Sequence, residues 1–187
     1  MNKKEIPLAQ QILFSAERFW KTACVLSLKM QSPYGRETEH GQWIQPRAAM
    51  QILALELYLK TISQIENNEY SRQHDLVKLF QTLSVESQKS IRRKYDLAIL
   101  EDKNFKQLVR AIENEAGKKI KLDFFSQLKE MRKGFEEFRY IFDNDSQKGT
   151  MAVAYLRNAL VDRIDEIGDD IHKQVEQKWV DPALKQR

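Results

Sequence analysis

The chain has 187 residues, of which 42% are hydrophobic and 31% are charged, and its formal net charge is +4. This length predicts a single domain over residues 1–187, with a core over about 7–178, and the composition excludes a disordered chain. Only six glycines and four prolines occur, which favours long helices over turn-rich β-structure. The mild positive charge is weaker than that of a dedicated DNA-binding protein.

The sequence shows no targeting or membrane signal. Its longest apolar run, Met151 to Leu156, has six residues, whereas a membrane span needs about 20. The amino terminus lacks the apolar stretch of a signal peptide. The single cysteine, Cys24, excludes an internal disulfide. We therefore expect a cytoplasmic protein without membrane contact.

The first predicted helix covers about Pro7 to Met30. Proline is favoured in the first helical turn, and apolar residues recur at helical steps from Leu8 to Leu26. The stretch from Gln31 to Pro46 holds two prolines and two glycines and is predicted to be the longest irregular connection. Long loops often carry function, but the plain interpretation is that Trp43 anchors a solvated loop.

The second predicted helix covers about Arg47 to Glu66. Its apolar stripe consists of Ile52, Leu55, Leu59 and Ile62. After a polar loop, Asp75 is predicted to be the N-cap of a short helix through Leu83, because its carboxylate can accept from free backbone N–H groups.

Two helices are predicted in the middle of the chain. Ser84 is predicted to cap the fourth helix, and either Asp102 or Asn104 to begin the fifth. Gly117 is predicted to end the fifth helix, because glycine tolerates the left-handed conformation found there.

The last two predicted helices are the most regular. The sixth begins at Asp123 and runs to Phe142, with the strongest apolar periodicity of the chain. Thr150 is predicted to cap a final helix through Val175, and the tail after Trp179 is predicted to fray. Because no segment alternates as a strand does, the sequence predicts an all-α, single-domain bundle of six or seven helices.

The sequence offers little to hold a metal or a cofactor. Its three histidines, His40, His74 and His172, are not spaced as ligand pairs and lie far from Cys24, whereas a zinc site needs three or four convergent ligands. Glycine-rich phosphate loops and the dinucleotide fingerprint are missing. We therefore expect neither a metal nor a cofactor. Short basic runs at residues 92–94 and 118–121 are most simply solvated surface, with weak nucleic-acid contact left open.

Two segments carry the functional prediction. The first pairs an acid with a base four residues later, which is the favourable order for a helical ion pair, and then has a His-Asp helix start. The second places Arg-Tyr in an aromatic stripe. Their polar residues are Glu56, Lys60, His74, Asp75, Arg139 and Tyr140. The plain interpretation is a surface ion pair, a turn closed by the histidine, and a core stripe flanked by the arginine and the tyrosine.

Taken together, these segments resemble the HEPN superfamily. An Ala-x-Glu-x-x-Leu-Lys helix followed by a His-Asp-Leu-x-x-Leu helix start is common in that family, and both motifs occur here at residues 54–60 and 74–79. The Phe-x-x-x-Arg-Tyr segment at 135–140 looks like a later helix of several HEPN-like proteins. The resemblance spans about residues 8–175 and implies a helical bundle that usually forms dimers.

The resemblance also bears on activity. Many HEPN proteins are metal-independent RNases whose signature is Arg, four to six residues, and then His. The positions that would hold this arginine, 33–35, 67–69 and 165–167, contain none. We therefore predict no catalytic residue, and a noncatalytic HEPN-like binding or regulatory protein.

The predicted binding site lies where the second helix, the His74 helix start and the sixth helix meet. Arg139 would contact phosphate through its planar guanidinium, Tyr140 would stack or donate a hydrogen bond, and Lys60 would add charge. His74 and Asp75 would lie at a helix N-terminus, where free N–H groups favour anions. The alternative at this point is that Asp75 itself fills the anion position and leaves His74 a structural role.

The predicted ligand is a nucleotide, an RNA or a protein partner, and the predicted assembly is a homodimer in a bacterial defence or toxin–antitoxin setting. A rival hypothesis is a metal-independent RNase with a rearranged Arg/His pair, in which His74 acts as base and Arg139 supplies the cation. A third is a structural interaction protein whose apolar stripes bind a partner helix.

Overall fold

The computed structural model describes residues 7–30, 37–132, 152–168 and 171, with side chains placed for all of these except 29, 30 and 37–44. Within these ranges the chain forms helices and no strand, which confirms the all-α prediction. The helices are α1 Leu8–Met30, α2 Glu37–Asn67, α3 Leu76–Gln81, α4 Val85–Glu101, α5 Lys103–Ala116, α6 Phe124–Glu130 and α7 Val153–Ile167.

α2 is the central helix of the bundle. It packs against α1, α3 and α7, while α4 packs against α7 and α6 closes on α3. The predicted apolar stripe of α2 is buried: Ile52, Leu55, Leu59 and Ile62 all lie in the core. At the other end of the core, the Phe80 ring of α3 lies 4.7 Å from the Phe124 ring of α6, measured between centroids. This contact joins the end of α3 to the start of α6, and at their opposite ends Arg132 after α6 bonds to Asp75 before α3.

Side chains cap the helices at the predicted positions. Asp75, Ser84, Asp102 and Asp123 each accept a hydrogen bond from a backbone N–H in the first turn of the following helix. Asp102 rather than Asn104 begins α5. Gly117 ends α5 with a φ of +62°, the left-handed conformation that glycine adopts without steric cost. These boundaries follow from local chemistry alone.

The predicted loop from Gln31 to Pro46 is wrong in its second half. α2 begins at Glu37, and Pro46 lies inside the helix. A single proline removes one backbone hydrogen bond and does not have to end a long helix, and α2 packs extensively along α1. Trp43 therefore belongs to a helix rather than a loop. Its side chain and residues 31–36 are not among the parts of the chain that the structure describes.

The last two predicted helices are shorter than expected. α6 ends at Glu130, where the N–H of Arg132 bonds to the carbonyl of Lys129, three residues back, in a tightened final turn. Residues 133–151, including Thr150, lie outside the described residues.

The final helix differs from its prediction at both ends. The N-cap residue of α7 is Ala152, which makes no side-chain capping bond, and the helix ends at Ile167 with Gly168 as C-cap. The prediction followed the apolar periodicity through this glycine, which ends α7 instead. The predicted continuation to Val175 is described only at Ile171, which is helical, and the tail lies outside the described residues.

Candidate functional site

A buried carboxylate on α2 is the centre of the candidate site. The Lys60 ammonium nitrogen lies 2.8 Å from Oε1 of Glu56, one helical turn away, and the two side chains are only 2% and 3% exposed. The predicted ion pair is therefore present, but it is buried and not on the surface. Two charges taken out of water are costly unless each keeps its partner, so Glu56 and Lys60 depend on each other.

His74 contacts the same carboxylate from the loop before α3. Its Nδ1 lies 3.0 Å from Oε1 of Glu56, while the histidine side chain is 63% exposed. Because a carboxylate accepts hydrogen bonds, this contact assigns a proton to Nδ1. The imidazole thus lies over the buried Glu56–Lys60 pair with its opposite edge toward solvent. The Lys60 ammonium nitrogen also lies 5.2 Å from the centroid of the Tyr70 ring, a cation–π distance.

Asp75 is fully engaged within the protein. Its Oδ1 accepts from the backbone N–H groups of Val77 and Lys78 at 2.9 and 3.2 Å, and its Oδ2 accepts from Nε of Arg132 at 2.6 Å. Desolvation alone would raise the pKa of Asp75, but the hydrogen bonds from Arg132 and the backbone hold that pKa below its ordinary value. Asp75 itself therefore occupies the anion position at the start of α3.

Arg132 is the member of the site that the sequence did not reveal. It follows α6 directly, and its side chain is 45% exposed where it meets Asp75. No local motif marks this arginine, because its partner lies 57 residues earlier in the chain. The sequence analysis predicted that the sixth helix lies near the His74 helix start. That prediction was the one indication that a residue close to this helix could join the site. Arg139 and Tyr140, the residues predicted for that helix, lie outside the described residues.

These contacts define a junction site, consisting of Glu56, Lys60, His74, Asp75 and Arg132. Of the five predicted site residues, the structure joins Lys60 and His74 through Glu56, and it joins Asp75, the residue after His74, to Arg132. His74 is tied to a carboxylate through Nδ1, and Arg132 is tied to a neighbouring carboxylate through Nε. Nε2 of the imidazole and the two terminal nitrogens of the guanidinium take no part in these anchoring bonds. The terminal nitrogens of a guanidinium can donate two hydrogen bonds to one anion.

A second polar cluster ties α1, α2 and α7 in the interior. The Tyr58 hydroxyl donates to Oε1 of Glu17 at 2.5 Å, and a terminal nitrogen of Arg157 donates to the same oxygen at 2.9 Å. Burial and the neighbouring Glu17 raise the pKa of Tyr58 despite the opposing charge of Arg157. The three groups satisfy one another across the core, which indicates a structural role.

A third cluster joins α2, α4 and α7. Glu66 accepts hydrogen bonds from the hydroxyls of Ser84 and Ser87, and Nε of Arg163 donates to the Ser87 hydroxyl oxygen at 2.6 Å. Glu166 in turn lies 2.9 Å from a terminal nitrogen of Arg163. Because every one of these groups has an internal partner, the cluster also indicates a structural role.

Within the described residues, no group of three His, Cys, Asp or Glu side chains could hold a metal ion. No helix in the same ranges is long and apolar enough to cross a membrane.

Comparisons with known proteins add no relative. No family model, curated protein or solved structure matches the chain. The relationship to HEPN proteins therefore stays a prediction that rests on the segments at residues 54–60, 74–79 and 135–140. The geometry of the junction site is the basis on which a function is proposed.

Proposed function

We propose that the chain is a noncatalytic, HEPN-like binding protein whose junction site holds a phosphate ester of a nucleotide or of RNA. One observation carries the proposal: two exposed nitrogen-bearing side chains, His74 and Arg132, are each fixed by an inner nitrogen to a carboxylate of the protein. Their outer nitrogens then serve the ligand. Fixing these side chains in advance lowers the entropic cost of binding.

Phosphate suits this donor set better than other anions. The terminal nitrogens of a guanidinium form a planar fork that matches two oxygens of a phosphate group. The protonated imidazole of His74 adds a single donor at Nε2, which suits a tetrahedral anion with oxygens in several directions. Asp75 and Glu56 offset the charges of Arg132 and Lys60, so we expect modest affinity that falls with added salt.

The balance of contacts favours binding over catalysis. Metal-independent RNA cleavage needs a base for the 2′-hydroxyl and a cation for the developing negative charge. The arginine of the RNase signature is missing from the sequence before each histidine, and Arg132 is paired with Asp75. These observations support a binding role for the site.

One observation favours the rival RNase hypothesis. A carboxylate that accepts from Nδ1 orients an imidazole so that Nε2 can act as a base, and Glu56 makes this contact with His74. Incubation of the protein with mixed single-stranded RNA in EDTA separates the hypotheses. Intact RNA agrees with the binding role, whereas cleavage that His74→Ala abolishes would establish the enzyme instead.

Titration calorimetry at low salt tests the binding proposal, with AMP and a short single-stranded RNA as separate ligands. We expect binding by the wild type and a loss of about tenfold or more in Arg132→Gln, because a hydrogen bond to a charged group contributes roughly 1.5–3 kcal/mol. Arg93→Gln, which changes an exposed arginine of α4, is the matched control. The absence of binding, or equal losses in both variants, would refute the proposal.

We further propose that the protein forms a homodimer and acts in a bacterial defence or toxin–antitoxin setting, as its resemblance to HEPN proteins implies. Sedimentation velocity at several concentrations tests the assembly. A single species of about 44 kDa, twice the chain mass of 22.1 kDa, is the expected result. A 22.1 kDa species at all concentrations would contradict the dimer.

A further inference from the structure

We infer that the junction site takes up a proton when it binds a phosphate ester, because Glu56 accepts the hydrogen bond from Nδ1 of His74 and so keeps the ring proton of the neutral imidazole on that nitrogen. This inference rests on the proposed function and concerns how binding at that site is regulated. It also assigns Glu56 a role as a positioning residue that acts on the ligand through His74.

The first step of the argument concerns the neutral imidazole. A neutral histidine carries one ring proton, and the hydrogen bond at one nitrogen decides where that proton resides. Nδ1 of His74 lies 3.0 Å from Oε1 of Glu56, and a carboxylate can only accept. The neutral form therefore has its proton on Nδ1 and presents the Nε2 lone pair to solvent.

The second step concerns the ligand. A phosphate oxygen is also an acceptor, so it meets the Nε2 lone pair with no proton between them. A proton taken from solution converts the ring to imidazolium, in which both nitrogens donate. Only this form satisfies Glu56 and the phosphate together, so ligand binding favours the protonated ring.

The charged and titratable groups near His74 are not the source of the proton uptake. Among the described residues, Glu56 contacts His74 directly, and Lys60 and Tyr70 lie behind it. Asp75, the next residue in the chain, is paired with Arg132. Hydrogen bonds hold the pKa of Asp75 below its ordinary value despite desolvation, so this carboxylate is ionised at neutral pH. Among the side-chain types present, histidine is the one whose charge ordinarily changes between pH 5 and 8.

The expected consequence is pH-dependent affinity. Because one proton is taken up, the affinity rises as the pH falls from 8 to 5.5, by at most about tenfold per pH unit. The ligand for this measurement is a short RNA without terminal phosphates, because its diester groups do not titrate in this range. The pH dependence then belongs to the protein.

Calorimetry at pH 6.8 in PIPES and in Bis-Tris measures the proton directly, since the heats of ionisation of the two buffers differ. We expect the wild type to take up a fraction of one proton per RNA and His74→Gln to take up none. His40→Gln is the matched control and is expected to behave as the wild type. In Glu56→Gln the amide can donate to Nδ1, which permits a proton on Nε2 in the neutral ring, so we expect uptake to fall while binding persists.

The outcomes separate this inference from the proposed function. Binding that depends on Arg132 but has no proton uptake and no pH dependence would overturn the inference and leave the proposed function standing. Equal uptake in the wild type and in His74→Gln would overturn it as well. If the RNA does not bind at any pH, both proposals fail. The measurement on the wild type alone shows whether protons are taken up or released on RNA binding, even where a variant does not fold.

Discussion

At the scale of single residues, Glu56 shows what sequence reasoning reached and what it missed. The four-residue spacing predicted its pair with Lys60 correctly, because helical neighbours follow from the 3.6-residue period. The burial of the pair was not predicted, since it depends on α1, α3 and α7 packing around α2. The contact between Glu56 and His74 depends on the same packing.

The buried pair makes a prediction about stability. Glu56→Ala leaves the Lys60 ammonium buried without its partner, and we expect a loss of about 3–5 kcal/mol in the free energy of unfolding. Replacing both residues, as in Glu56→Leu with Lys60→Met, is expected to restore much of that loss. Urea denaturation measures both variants, with Glu101→Ala on the exposed end of α4 as control. A loss in Glu56→Ala no larger than in the control would contradict the argument.

At the scale of helices, four helix starts with a local capping signal were predicted correctly, whereas the starts of α2 and α7 were not. Asp75, Ser84, Asp102 and Asp123 all cap helices as expected, because an N-cap needs only one side chain and the following N–H groups. The start of α2 was missed because Pro46 is tolerated inside a long packed helix. The proline therefore gave no local signal for where α2 begins.

The cap of α6 gives a prediction at this scale. Asp123 accepts from the backbone N–H of Ser126 at 3.0 Å, and Asp123→Ala removes that bond. We expect a loss of about 1 kcal/mol in stability, measured by urea denaturation. Asp123→Asn keeps an acceptor and is expected to lose less. Equal losses in the two variants would show that the capping hydrogen bond is not the cause.

The link between α2 and α4 predicts a pH dependence of stability. Desolvation alone would raise the pKa of Glu66, but hydrogen bonds from Ser84 and Ser87 lower this pKa below its ordinary value of 4.5. Below pH 4.5 the unfolded state therefore binds more protons than the folded state, and the stability that Glu66 supplies is full above this pH and lost as the pH falls.

Urea unfolding of the wild type and of Glu66→Gln between pH 7 and 3 tests this link. We expect the variant to be less stable at pH 7 and the difference to shrink as the pH decreases. Glu115→Gln, on an exposed part of α5, controls for the loss of one negative charge. A difference that stays constant over the whole pH range would contradict the assignment.

At the scale of the whole molecule, the polar contacts that unite distant segments lie beyond sequence reasoning. Arg157 reaches Glu17 across 140 residues, and Arg132 reaches Asp75 across 57. Either arginine reads as an ordinary surface residue in the sequence, because no spacing rule connects it to its partner. The all-α class could be predicted from composition and periodicity. The contacts of the junction site could be recognised only in the folded structure.

The interior cluster at Tyr58 predicts the strength of one such contact. Tyr58→Phe removes the hydroxyl that donates to Glu17 and leaves that buried carboxylate with one donor fewer. We expect a loss of about 1–3 kcal/mol in the free energy of unfolding. Tyr70→Phe, at a ring that is 48% exposed, is the matched control and should change stability by less than about 0.5 kcal/mol. Similar effects in both variants would contradict the structural role of the cluster.

The most direct test of the junction site is nuclear magnetic resonance of the ¹⁵N-labelled protein during titration with a short single-stranded RNA at low salt. The account predicts that the largest shift changes occur at the amides of residues 70–78 and 130–132 and at the ring nitrogens of His74. It also predicts that Arg132→Gln weakens them. Shift changes centred on the basic run at residues 92–94, or none at saturating RNA, would contradict the site.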